Sequence, residues 1–584
     1  MASLVHDTFY GQVVRYFTKG RLYGHIEDKP DFELPWKRLP TETASESEAE
    51  KVLEADSDNT AASTPPATAL PEEKAEDDAS GVGKDLELQT PVGRQPSRVL
   101  QPQKTPDGVI LVDWYTTDDP ANPQNWSSKK KFIATFIISW YTFGVYSSSA
   151  IITPAHQDIE EKFNVSYAEA SLGLAMYVIG YGIGPLLWSP LQELPVLGRN
   201  TVYVITYALF VILSVPTALV DNFAGLVVLR FITGFLGSPC LATGAASMSD
   251  FYAMSHVPFA IIAWTASAFA GPALGPLISG FAVPAEGWRW SLWPILWLNG
   301  PILLAMIFFL PESYSPTVLY RRAQRLRKRT GNTNLASQSE IDQKNLTPGK
   351  IVRDALIKPF EITFKDPAVF FINLYTAYVY GIYYSFFEAF PLAYINVYHF
   401  NIGETSLTFV ALAVGCIIAV IVFTCFLKFY ALPLAAKQGP GKLEDNLIPA
   451  LLMSMLLPAG MFWWGWTSGN PDIHWIVGLI GVVMFTFGAF ILMQCIFVYL
   501  PMTYPMYAAS LFAANDFFRS AMAGGSIIFA HPLYQNLGIG RGISVMAGLG
   551  VGGVIGVWAL WWFGERLRAR SKFAVKGAPV APVE

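Results

Sequence analysis

Charge is scarce in this 584-residue chain. Asp, Glu, Lys and Arg together make up 15% of it, against roughly 25% in soluble proteins. With 52% hydrophobic residues, that scarcity excludes a string of soluble domains. Cysteine is scarce too. Cys240, Cys416, Cys425 and Cys495 show no metal-ligand spacing, and each falls in an apolar run, as small packing residues do. No GxxxxGK[ST] phosphate loop is present, which argues against an ATP-driven pump. No basic stripe is interleaved with exposed aromatics, so nucleic-acid recognition is not indicated. The opening MASLVHDTFYGQ lacks the charged start and apolar core of a signal peptide, so the first span is expected to direct insertion.

What the chain has instead is long apolar runs, each of about twenty residues, the length of a membrane-crossing helix. Alternating ten-residue segments are absent, which argues against a barrel. Spans are expected near 132–152, 168–190, 200–220, 223–249, 257–283, 290–310, 368–396, 405–430, 448–468, 473–499, 506–531 and 542–563. The loops on one side carry only Lys162, Arg289 and Arg541. The other side carries Lys129–Lys131, Arg199, eleven bases in 311–367, Lys428, Lys437, Lys442 and five in the C-terminal tail. This asymmetry predicts that both termini are cytosolic.

The expected order is therefore a cytosolic tail (1–130), six spans (131–310), a basic cytosolic loop (311–367), six more spans (368–563) and a short cytosolic tail (564–584). An even split by a basic loop suggests two similar halves around a central cavity. Residues 41–90 hold fourteen acids against three lysines, a composition that predicts disorder, extended here to about 41–100. In residues 7–19, Phe9, Val13, Tyr16 and Phe17 fall near one helical face, consistent with either a surface-lying helix or a local cluster. Asn164-Val-Ser166 is a glycosylation sequon, close to a span.

Charges inside spans are costly and mark function. Four ionisable residues lie well inside the expected spans: Arg230, Glu388, Asp516 and Arg519. A redox enzyme would need more histidines in its spans, and a channel would show rings of charge or a carbonyl filter. Asp516 and Arg519, in AANDFFRSA, are three residues apart and can pair along one helix face. They form either a fixed ion pair with Asn515 or a proton site. Glu388, in YGIYYSFFEAFPLAY, has no charge near it in sequence. It sits among Tyr380, Tyr383, Tyr384, Phe386 and Phe387, which can stack on flat apolar or cationic molecules. Arg230, in VVLRFITGFLG, needs a partner from another span or from backbone carbonyls. Gly271-Pro272 and Gly275-Pro276 predict a fifth span that kinks and packs tightly. Glu193 and Arg199, in GPLLWSPLQELPVLGRN, can pair with neighbouring helix ends in one conformation and separate in another, or form an ordinary basic turn that obeys the orientation rule.

At these residues the chain resembles the major facilitator superfamily, and within it the fungal twelve-span drug:proton antiporters. Segment 184–200 is similar to the signature between helices 2 and 3, with Glu193 where many members have Asp and a longer approach to Gly198-Arg199. Arg230 matches the helix 4 arginine. Segment 271–280 is similar to the helix 5 antiporter motif, with Pro276 where glycine is common. DPANPQNW, NLYTAYVYGIYYSFFEAFP, AANDFFRS and ERLRARSKFA are closer to the fungal subgroup, and the resemblance covers about 105–575. It implies an all-α membrane fold of two six-helix halves. It also implies proton-driven export of drugs, fungicides or self-made toxic metabolites from the plasma membrane. The resemblance links Arg230 to proton coupling. From the residues themselves, Asp516, Arg519, Glu388, Glu193 and Arg199 are further candidates for coupling or conformational switching. Glu388 is either a proton-loading carboxylate or a snorkelling residue with a hydroxyl partner. A monomer with neither cofactor nor metal is expected. A proton-coupled importer of a nutrient or siderophore is the alternative.

Overall fold

The computed structural model describes residues 5–18, 20–29, 32, 97–253, 255–344, 348–438 and 441–575. The acidic stretch 41–90 lies outside them. Twelve long helices form two sets of six. The first set is α1 (Ser128–Ala150), α2 (Leu172–Gln192), α3 (Gly198–Leu219), α4 (Phe223–Phe251, broken at Ser238), α5 (Val257–Gly280) and α6 (Trp293–Phe309). The second is α7 (Pro367–Phe390), α8 (Val410–Phe426), α9 (Ile448–Thr467), α10 (Trp475–Thr503), α11 (Ala508–Leu537) and α12 (Ile539–Arg570).

Side-chain caps mark several starts. Ser127 accepts from Lys130 N–H, Asn222 from Gly225 N–H, and Asp366 from Ala368 and Val369 N–H, which supplies donors the first turn leaves unpaired. Among the described residues nine helices are long and apolar enough to cross a membrane. The other three long helices are α1, α7 and α11. Of these, α7 is the one set deep among other helices. Nineteen of the twenty-four residues of α7 are buried, whereas only Ile295, Asn299, Ile302 and Met306 are buried in α6.

The fifth span keeps its helix through both Pro272 and Pro276. A Cβ on Gly271 would lie 2.7 Å from the Tyr146 Cβ, and one on Gly275 would lie 2.5 Å from the Ser147 carbonyl oxygen. The glycines thus let α5 lie directly on the α1 backbone. Between the halves, α2 packs on α11, with Gly182 against Ser520, and α5 meets α8 and the short helix Ile402–Thr408 that leads into it, with Gly280 against Ser406.

On the face that carries the basic loops, the N-terminal region is built into the fold. Helix Phe9–Phe17 is capped by Thr8 and packs on the end of α6, where Tyr10 meets Phe308 at 5.0 Å. Tyr16 and Phe17 point outward, 80% and 78% exposed. Strand Ile110–Leu111 pairs in parallel with Leu335–Ala336 of the central loop. The central-loop helix Ser315–Thr330 anchors this region through Arg322, which bonds Asp119 at 2.7 Å and lies 3.3 Å from Glu27, all three buried. Burial alone would push the Asp119 carboxyl up, but the hydrogen bonds and charge of Arg322 bring it below its ordinary value. A cleft of about 1960 Å³ opens on this face, lined by Arg15, Arg321, Arg325 and Glu27 among others.

Candidate functional site

Arg230 is fully buried in α4. Its guanidinium donates to the carbonyls of Ser148 (2.8 Å) and Ser149 (2.7 Å) on α1 and of Gly173 (2.8 Å) on α2. It stacks 4.2 Å over the Tyr177 ring, and no carboxylate pairs with it among the described residues. The planar fork reaches carbonyls of two neighbouring helices at once, which a point charge does not.

Asp516 and Arg519 pair on α11 at 2.6 Å, both buried. Asp516 Oδ2 and Arg519 Nε have no partner among the described residues. Asn515 does not join them. It donates to Asn373 Oδ1 (3.0 Å) and Thr376 Oγ1 (2.7 Å) on α7 instead. The Arg519 guanidinium lies 5.0 Å over Tyr380 and 5.6 Å over Phe497.

A chain of hydroxyls connects the two arginines' surroundings. Ser149, whose carbonyl Arg230 holds, has its Oγ 3.0 Å from the Tyr384 hydroxyl. Tyr181 on α2 donates to Tyr384 at 3.0 Å and lies 2.9 Å from the Tyr380 hydroxyl. The chain crosses from the first half to the second and ends under Arg519. Sequence reasoning did not single out Tyr181, Ser149 or Tyr146. The available signal was a tyrosine within the glycine-rich YVIGYGIG of an apolar span.

Tyr380 and Tyr383 line the central space with Tyr146, Trp264, Phe269, Phe497 and Arg519. The Tyr383 hydroxyl donates to the Phe269 carbonyl across the halves at 2.7 Å. Phe386 and Phe387 do not line this space, contrary to the sequence expectation. Phe386 packs on Trp464 and Phe485 within the second half, and Phe387 stacks on Phe409. Each helical residue turns about 100°, so a run of aromatics is spread over every face of α7.

The central cavity is about 10 Å³, room for one water at most. Towards the basic face it is closed by Trp264 against Phe497, 5.8 Å apart. Towards the far face Tyr167 of the first half stacks on His531 of the second at 3.8 Å, and Ser171 donates to Glu388 at 3.4 Å. The two halves are thus closed on both sides of an aromatic, charged centre.

Glu193 and Arg199 are not partners. Arg199 makes a bidentate pair with Asp250 at the end of α4 (2.7 and 3.3 Å), and its backbone N–H donates to Glu312. Ser313 completes the knot by donating to Asp250 at 3.2 Å. Burial pushes the Glu193 and Glu312 carboxyls up, partly countered by Arg199 and Arg321 respectively. Asp250 and Glu312 escaped sequence reasoning because acids at span ends read as ordinary loop residues. Asn164 is exposed, in left-handed backbone (φ 51°), at the end of helix His156–Phe163 on the far face. Cys425 is exposed on the bundle and the other three cysteines are buried.

A family model described as Major Facilitator Superfamily matches residues 138–530. The chain is 43% identical over 475 residues to the MFS-type transporter pyvG of Aspergillus violaceofuscus, covering 81% of this chain and 87% of that one. It is 39% identical over 586 residues to the cycloheximide resistance protein of Candida maltosa, covering 98% and 100%. With fluconazole resistance protein 1 of Saccharomyces cerevisiae it shares 36% over 467 residues, covering 79% and 84%. Among solved structures, the proton:xylose symporter XylE bound to 6-bromo-6-deoxy-D-glucose superposes with a TM-score of 0.52 at 15% identity, covering 75% of this chain and 97% of that one. At that identity the likeness concerns the fold alone.

Proposed function

The chain belongs to the major facilitator superfamily, whose members are multi-pass membrane transporters rather than enzymes, and from that premise we propose that it expels small, mostly hydrophobic organic compounds across the plasma membrane in exchange for protons. The observation that carries the reading is the buried Asp516–Arg519 pair beside a tyrosine-lined cavity between two closed halves. An ion pair held out of water is costly unless both charges stay matched. A proton added to Asp516 would cancel the match and free Arg519, which makes the pair responsive to proton binding. Tyr146, Trp264, Phe269, Tyr380 and Tyr383 offer rings to flat apolar molecules once the halves part.

Arg230 fixes α1, α2 and α4 as one body, so the first half moves as a unit against the second. Both termini face the cytosol in this reading, a single chain suffices, and the proton gradient is the energy source with no cofactor. The relatives' names make cycloheximide and fluconazole the first compounds to test.

The test is growth and efflux in a pump-deficient yeast expressing the chain against a toxin panel, with and without a proton uncoupler. Lower accumulation that the uncoupler abolishes supports export. Uncoupler-sensitive uptake of a labelled compound would instead assign the alternative, a nutrient or siderophore importer. Flux indifferent to the uncoupler would overturn proton coupling.

A further inference from the structure

On the far face, between the halves, lies a cluster of titratable groups that the central site does not use. Glu388 of α7 is fully buried, accepts from Ser171 of α2, and has an Oε1 with no partner among the described residues. Tyr167, which leads into α2, stands beside Glu388 and stacks on His531 of α11 at 3.8 Å with the planes 19° apart. His156 meets the other side of Tyr167 edge-on at 5.6 Å. It is 3% exposed, and neither ring nitrogen has a partner among the described residues. Glu160, on the same short helix as His156, also buries an unpartnered Oε1. The nearby cation is Arg230, whose donors are committed to backbone carbonyls.

We propose that this cluster is a proton-operated latch, in which the far face closes when Glu388 takes a proton from external water and opens when it releases one. The inference rests on the proton-driven reading above and adds to it a loading site distinct from the Asp516–Arg519 pair.

The physical reason is burial. Closing the far face moves Glu388 out of water with only hydroxyl partners, which a neutral acid tolerates far better than a carboxylate. The proton forms an O–H on the Glu388 carboxyl, which can then donate as well as accept, and no other bond changes. His531 contributes through its ring, which stacks on Tyr167 when neutral and ties the two halves together there. His156 works against closure, since burial lowers its imidazole to about 4, so falling pH charges it sooner wherever opening wets it. Burial also raises the Glu160 carboxyl, so acidification tends to neutralise it as well. Glu388, fully buried with only hydroxyl partners, sets the balance, so lower external pH favours the closed far face.

The test is a distance measurement on the purified full chain, with Cys425→Ser and spin labels at Glu161→Cys and Asp472→Cys, both exposed on the far face in opposite halves. Acidification from neutral to about pH 5, still above the roughly 4.3 of a free glutamate, should shift the population to the shorter distance. Glu388→Gln, which imitates the neutral acid, should give the short distance at both pH values. His531→Ala, which removes one side of the stack, should enlarge the long-distance population at both. A Glu388→Gln protein that keeps the parental pH response overturns the proposal, as does a parental protein whose distances ignore pH. Should Glu388→Gln fail to reach the membrane, His531→Ala decides alone, and an unchanged distribution in it also overturns the latch. These distances need no substrate. An absent efflux with the expected distances would therefore reject the export reading and leave the latch standing.

Discussion

Each half buries an arginine near the middle of a span, and the two halves hold it in opposite ways. Arg230 in the first half is held by three backbone carbonyls and an aromatic face, with no acid. Arg519 in the second is held by Asp516, three residues away on its own helix. The basic face repeats the contrast with the signs reversed. At the start of α3, Arg199 binds Asp250 and Glu312. Just before α9, at the matching place in the second half, stands Glu444, which binds Arg568 at the end of α12 at 3.1 Å. A cation held by carbonyls has nothing to titrate and serves as a fixed clamp. A cation held by a carboxylate has a partner that a proton can remove. The first half is built as a rigid body and the second carries the part that responds.

The sharpest way to break that comparison is Arg230→Ala. It takes a charged donor from three buried carbonyls, at about 1 kcal/mol or more each, and should abolish efflux. Arg230→Lys, which keeps charge but loses the fork, should retain part of it. Gradient-driven efflux normalised to surface abundance is the measurement, and normal efflux by the alanine variant would remove Arg230 from the mechanism. Next is Asp516→Asn, which leaves Arg519 buried and unmatched at about 3–5 kcal/mol. Adding Arg519→Met should restore thermal stability without restoring transport, because the pair is dispensable for folding and needed for coupling. No second substitution should rescue Arg230→Ala in this way.

A smaller effect is expected at the basic face. Both arginines pair bidentately, but Arg199 is 6% exposed and its backbone N–H also binds Glu312, whereas Arg568 is 11% exposed. Arg199→Ala should therefore lower the melting temperature more than Arg568→Ala does, and equal losses would mean that the reversed signs do not matter. The smallest is Tyr181→Phe, which removes a hydroxyl between Tyr380 and Tyr384. About 1 kcal/mol is at stake, so efflux should fall several-fold while the unfolding temperature barely moves.

Much of this architecture was legible in the order of residues. Apolar runs, the distribution of Lys and Arg, and the break at 311–367 gave the two sets of helices, because bilayer thickness and backbone satisfaction leave so few alternatives. Arg230, Glu388, Asp516 and Arg519 stood out because charge in a span is rare. Their partners did not. Tyr181 meets Tyr380 and Tyr384 across a separation of about two hundred residues, and no local period encodes such a contact. The α7 aromatics misled for the opposite reason: adjacency in sequence put Phe386 and Phe387 with the tyrosines, whereas helical rotation turns them towards Trp464 and Phe409. The two-residue strand joining Ile110–Leu111 to Leu335–Ala336 is too short to leave any alternation to read.

The interior position of α7 has a consequence for how the protein is made. A ribosome delivers this helix to the membrane after six others, and nineteen of its twenty-four residues, Glu388 and four tyrosines among them, end up out of contact with lipid. On its own such a segment partitions poorly into hydrocarbon. Its stable home exists only once α11, which follows it by more than a hundred residues, has arrived to pack beside it. The second half therefore has to be held in a provisional arrangement during synthesis. Variants that weaken the α7–α11 contact should show up first as slow biogenesis, before any loss of activity in the finished molecule.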